Sequence, residues 1–255
     1  MYGDYELVFP ITIKQKFIFK KVCQPLFCQQ LGSFSPSESL LYDEIIFNQI
    51  LSFLNKKYTH FSLSMNHYIS KYFSMKEKYS SLKIMHKINL ELMLNDNYEQ
   101  VFSNYNNNTK RNLKKIQDLD LSFERIYVVS DFLSLYVESL ASKIKLKQKD
   151  YKVIQSLIEI ILEKNKGSLY GLFNSQRELL SAAFFTHHGN RSILLFNVSK
   201  RHLSANSMTF LIDQYIQKKC QMNLIIDFEG SNIISLQKFY KGFGALEKNY
   251  SLIVK

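Results

Sequence analysis

A mixed α/β fold, with helices flanking a mixed sheet, is predicted by three features of this chain. Between residues 119 and 255, apolar runs of strand length alternate with segments whose apolar residues recur at helical spacing. Turn signals such as Asn174-Ser-Gln-Arg-Glu178 and Gly189-Asn190 separate those runs. Hydrophobic residues form 46% of the 255 positions against only 8 Gly and 3 Pro, so the chain can bury a core and is not dominated by loops.

The N-terminal part opens with a predicted strand over 11–22 and a loop holding Gln24, Pro25, Gln29, Gln30 and Gly32. A helix is expected from Ser35, with Pro36 at its first position and Glu38 completing a capping box. Ile45, Ile46, Ile50, Phe53 and Leu54 give that helix an apolar face. Strands over 59–65 and 81–94 follow. Residues 96–118 read as a helical connector, with Lys110, Arg111, Lys114 and Lys115 on one side by their spacing.

In the C-terminal part a strand over 119–128 leads to a helix that Ser130 can cap, extending to Ile144, and to a second helix over 150–164. Strands over 168–173, 179–187 and 191–198 come next. A helix over 205–219, a strand over 223–228, a short helix over 233–241 and a strand over 245–254 complete the order. The strand ending in Asp227-Phe-Glu-Gly-Ser231 should turn sharply and present two carboxylates, Asp227 and Glu229, on one side. The Gly242/Gly244 pair should stop the helix that follows. Acidic groups at the carboxyl end of a central strand sit where open α/β sheets place ligands.

The order β-α-α-β-β-β-α-β-α-β resembles the Gcn5-related acyltransferase (GNAT) superfamily. Within it, Asp227-Phe-Glu-Gly-Ser231 followed by Lys238-Phe-Tyr-Lys-Gly-Phe-Gly244 is similar to the FemABX-like branch, whose members carry two such domains in tandem. The resemblance implies an incomplete N-terminal GNAT-like repeat at 1–95, the connector at 96–118 and a C-terminal acyltransferase domain at 119–255. It implies transfer of an acyl or aminoacyl group to an amine, with acyl-coenzyme A or aminoacyl-tRNA as donor and no metal.

The resemblance also suggests site residues. Donor contacts fall on Phe196, Asn197, Val198, Ser199, Lys200, Arg201, Asn206, Ser207 and Met208, a stretch that lacks the glycines of coenzyme A cradles. Asp227, Glu229 and Lys241 are the candidate catalytic groups, one of the two carboxylates as proton acceptor or orienter of the amine and the lysine as neutraliser of a developing oxyanion or phosphate charge. Gln24, Gln29, Gln30 and Tyr240 are candidate acceptor contacts. Each has a plainer alternative: a turn-forming Asp, a helix-end lysine, loop-bracing amides. Two other functions stay open, a catalytically silent binding module on the same fold and an RNA-binding protein using the basic connector.

The net charge of +11 favours anionic partners, coenzyme A or tRNA among them. No apolar run is long enough to span a bilayer, and the N-terminus shows no signal peptide, so a cytoplasmic protein without a transmembrane segment is expected. Three cysteines fit a reducing compartment, and their spacing forms no zinc pattern. His187 and His188 are adjacent on a strand, face opposite sides and cannot share a metal.

Overall fold

The computed structural model describes residues 3–67, 82–140, 146–200 and 206–255. The chain divides into two compact units, Met1–Asn89 with Glu247–Lys255, and Leu90–Leu246.

In the first unit β1 (Ile13–Lys16) and β2 (Phe19–Cys23) form an antiparallel hairpin. β2 runs parallel to β3 (Phe61–Met65), which pairs antiparallel with residues 251–254 of β10 (Leu246–Val254). The single strand expected over 11–22 is therefore two strands. Its turn, Phe17-Ile18, carries none of the Gly or Asn that normally marks a two-residue hairpin, so the sequence reads as unbroken.

The helix expected from Ser35 is also split, into α1 (Glu38–Leu41) and α2 (Glu44–Lys57). Ser35 does not form the capping box, because its hydroxyl donates to the Glu6 carbonyl and accepts from Ser37 N–H. Asp43 caps α2 instead, accepting from the Ile45 and Ile46 N–H groups. The apolar side of α2 (Ile46, Phe47, Leu51, Leu54) is buried, and the unit's core joins Phe47, Leu51 and Leu54 to Val22, Phe61, Leu63, Met65 and Ile253.

The second unit holds a mixed sheet. Residues 90–94 of β4 (Lys83–Leu94) pair antiparallel with β9 (Leu224–Phe228), and β9 runs parallel to β8 (Arg191–Ser199). From β8 the sheet continues antiparallel through β7 (Leu179–His188), β6 (Gly167–Asn174) and β5 (Leu121–Arg125). The sequence-predicted strands and helices of this part all occur, with ends shifted by a few residues. Residues 141–145, at the end of the first predicted helix, lie outside the described residues, as does Ser81 at the start of the β4 prediction.

Helices flank both faces. α5 (Val129–Leu140) and α6 (Gln148–Glu163) pack together, with α5 on β8, while α7 (Ser207–Lys219) packs on β6 and β7. Tyr215 of α7 stacks on Phe185 at 3.6 Å between ring centroids and shares a 2.7 Å hydrogen bond with Ser192. Such a ring pair adds about 0.5–1.5 kcal/mol beyond the area it buries. On the opposite face Tyr136 of α5 meets Phe196 edge-on.

Residues 96–118, expected as a helical connector, hold two short helices, α3 (Tyr98–Ser103) and α4 (Asn107–Lys114), capped by Asn97 and Asn106. Val101, Tyr105 and Leu113 from this stretch enter the same core as Phe185, Tyr215 and Phe228. The last helix, α8 (Ile234–Lys241), ends against α4, where Asn106 N–H donates to the Gly242 carbonyl at 2.9 Å. A side chain at Gly242 would collide with the Thr109 hydroxyl, and Gly244 turns the chain at φ +81°.

Candidate functional site

The parallel strands β8 and β9 stay together only briefly: residues 191–193 pair with 225–227. After Phe228 the chain turns away through Gly230 at φ +82°, fixed by a 2.6 Å bond from the Ser231 hydroxyl to the Phe228 carbonyl. β8 runs on to Ser199, pairing with β7 throughout apart from a bulge near residue 195. Among the described residues, 194–199 have no strand on the β9 side. The space on that side of β8, beyond the end of β9, is termed the wedge, and the bulge adds local twist to its wall.

The donor contacts predicted on β8 line this wall. Phe196 and Val198 are buried, whereas Asn197, Ser199 and Lys200 are half-buried. Asn197 Nδ2 donates to the Tyr240 hydroxyl at 3.2 Å, so the wedge brings a predicted donor contact and a predicted acceptor contact together. Tyr240 is 1% exposed and stacks on Phe228 at 4.5 Å. Burial pushes its hydroxyl up to about 12, against a smaller opposing effect of the Asn197 bond, so it keeps its proton at neutral pH. Lys200 reaches Glu178 at 3.5 Å, a half-buried pair at long range that adds little stability.

At the start of α7, Asn206 adopts a left-handed conformation at φ +74° and makes no side-chain cap. The Ser207 hydroxyl is buried without a hydrogen-bond partner among the described residues. Met208 packs against the core. Among the described residues, no side chain caps the first-turn N–H groups of this helix. Arg201 lies outside the described residues.

Asp227 is 5% exposed at the end of β9, where the wedge begins. Arg191 Nη1 bridges it at 2.7 Å to Glu91 of β4, also at 2.7 Å. The bonds to Glu91 and Asp227 outweigh burial and hold the Arg191 guanidinium above its ordinary value, so it stays charged. Glu229 is half-buried in the turn beyond the strand, and Lys241 is exposed in the last turn of α8, where the helix dipole favours a cation.

Gln24, Gln29 and Gln30 lie in the other unit. The Gln24 carboxamide accepts from Ser64 N–H at 3.1 Å, and Gln29 donates to Asn89 at 2.9 Å. The Gln30 carbonyl accepts from the Cys28 thiol.

Sequence reasoning missed Arg191 and Glu91. One signal was available for Glu91, a lone charge in the otherwise apolar and amide run Ile88-Asn-Leu-Glu-Leu92. It also missed Asp213 of α7, 3% exposed, whose carboxylate accepts from Tyr98, Tyr105 and Gln217 at 2.9, 3.0 and 2.8 Å. Burial raises its pKa despite those donors. Asp213 borders a cleft of about 470 Å³ that Lys110, Lys114 and Phe210 also line. No group of His, Cys, Asp and Glu among the described residues is arranged to hold a metal ion, and no described helix is long and apolar enough to cross a membrane.

No protein-family model matches the sequence, and no curated protein does. Solved structures do match in shape. FemX superposes with a TM-score of 0.65 at 9% identity, covering 98% of this chain and 85% of that one. The fold is FemX-like. L-PGS from Bacillus licheniformis follows the same path, with TM-score 0.56, 10% identity, and 95% and 79% of the two chains covered. A GCN5-related N-acetyltransferase from Sphaerobacter thermophilus gives 0.52 at 6% identity, over 98% and 76%. The FemX-like fold is what these likenesses share with this chain.

Proposed function

We propose that this chain transfers an acyl or aminoacyl group from an activated carrier to an amine. The observation that carries the reading is the side of β8 over residues 194–199 that no described strand covers, beside the start of α7, where Asn206 supplies no side-chain cap. Backbone N–H groups on a strand edge that no described strand covers suit the oxygen of an acyl group, whose negative charge grows as the amine attacks. The first turn of α7, with the Ser207 hydroxyl unpartnered among the described residues, suits the phosphates of the carrier.

Asp227, Glu229 and Lys241 are the proposed catalytic groups. The charge of Asp227 is engaged by Arg191, which suits it to orienting the attacking amine. Glu229, half-buried in the turn at the mouth of the wedge, is then the proposed acceptor of the amine's proton. Tyr240 keeps its proton and offers a hydrogen bond to the substrate once Asn197 turns toward the donor. Lys241 would neutralise charge released on the leaving group. The donor class is acyl-coenzyme A or aminoacyl-tRNA, as the resemblance to the FemABX-like branch implies.

Isothermal titration against coenzyme A, acetyl-coenzyme A and aminoacyl-tRNA tests this reading. Saturable binding of one of them, weakened by Asn197→Asp, supports it; silence with all three sinks it. The Asn197–Tyr240 bond favours a second reading, a binding module whose wedge is already bridged. In that case Tyr240→Phe would leave cellular function intact, and so would the joint replacement of Asp227, Glu229 and Lys241.

A further inference from the structure

We propose that the β1–β2 hairpin docks the protein on an anionic lipid surface by inserting its apolar turn among the headgroups. The turn residues Phe17 and Ile18 are 83% and 85% exposed, and Phe19 beside them is 73% exposed. Contiguous bulky apolar groups in water are costly, and such patches mark surfaces that meet another phase or partner. Phe17 also holds φ at +53°, a conformation that hairpins ordinarily give to Asn or Gly. Gln15 Nε2 braces the turn through the Phe17 carbonyl at 3.0 Å. Folding alone gains nothing from an aromatic residue here.

Charge selects the partner. Lys14 and Lys21 stand directly opposite one another in the ladder, and Lys20 follows on the other face opposite Gln15. All three are exposed, and none has an ion-pair partner among the described residues. Like charges directly opposite destabilise a strand pair, so the Lys14–Lys21 position is costly until an anion joins it. Strand rise sets these lysines about 10 Å behind the turn, the depth that separates lipid phosphates from the upper acyl chains. An apolar wedge ahead of a cationic collar is the pattern of interfacial anchors. Lysines alone would be explained as protection of a sheet edge, for β1 is an end strand, but that device calls for no exposed Phe-Ile-Phe turn.

The chain contains no tryptophan, so Phe17→Trp places a single reporter at the turn. Mixed with phosphatidylglycerol-containing vesicles, this full-length variant should shift its emission to the blue and be quenched by brominated acyl chains. Neutral phosphatidylcholine vesicles should do neither, and salt should release the protein. Replacing Lys14 and Lys21 with Gln should weaken binding by about fivefold per lysine removed. Ile18→Ser with Phe19→Ser should abolish the quenching while circular dichroism and the melting temperature stay unchanged. Emission that ignores vesicles overturns the proposal, as does equal binding to both lipids. So does a dimer or a bound protein that the serine variant releases while vesicles have no effect.

Discussion

The two halves of β8 differ in what surrounds them, and the difference separates architecture from chemistry. Over 191–193 the strand is paired on both sides, and Arg191 ties β8 to β9 and β4 through Asp227 and Glu91. Over 194–199 only β7 remains as a strand partner among the described residues, and the side chains include Asn197 and Ser199. The closed half fixes where the open half points. A site formed by backbone needs such a lever, since its donors cannot be re-aimed by a rotamer change.

Replacing Arg191 strikes the closed half hardest. Arg191→Ala leaves two buried carboxylates without their shared cation, which should cost about 3–5 kcal/mol in a denaturant titration. Arg191→Lys should recover part of that loss, because it restores a cation between the two carboxylates on a shorter side chain. If both variants melt like the parent, the ion pair is not what holds the closed half together.

Tyr240→Phe attacks the open half. It removes one buried hydrogen bond, so stability should fall by about 1 kcal/mol, while Asn197 loses its partner. Transfer activity should drop more than the melting curve indicates. Equal loss in both would reduce Tyr240 to a structural role.

Ser207→Ala should leave the ligand-free protein unchanged or slightly more stable, because it deletes a buried hydroxyl that has no partner among the described residues. Donor affinity should fall several-fold in titration. A stability loss without an affinity loss would move the donor away from α7.

The smallest effect is in pH. His187, opposite Ser192 in the closed half and 3.1 Å from the Ser168 hydroxyl, is pushed down to about 4 by burial, with Lys219 and Arg125 adding to it. Its ordinary value is 6.5, so the unfolded chain binds the proton first as pH falls. The stability that His187 contributes is complete above 6.5 and is lost progressively between 6.5 and about 4. Partial exposure damps the slope. His187→Gln should flatten the melting temperature across that window.

The second unit was largely legible in the sequence, because its strands are bounded by turn residues and its helices repeat apolar residues at regular spacing. Asp227-Phe-Glu-Gly-Ser231 announced the bend after β9 through the one residue, Gly230, that takes positive φ without strain. The first unit was less legible for an equally local reason. Phe17 occupies a position where turn chemistry calls for Asn or Gly, and Asp43 rather than Ser35 caps the long helix that follows. In the site, Asp227 and Asn197 stood out by position, but the arginine that holds Asp227 is 36 residues away in sequence, and Glu91 is 100 residues from that arginine. Pairings of that separation are fixed by sheet order, which no local pattern encodes.

Backbone hydrogen exchange gives the most direct test of the open edge. With acetyl-coenzyme A or an aminoacyl-tRNA bound, amides within 194–199 should exchange more slowly while those of 191–193, already paired on both sides, stay as they were. Unchanged exchange along the whole of β8 at saturating donor would contradict the claim that this edge receives the acyl group.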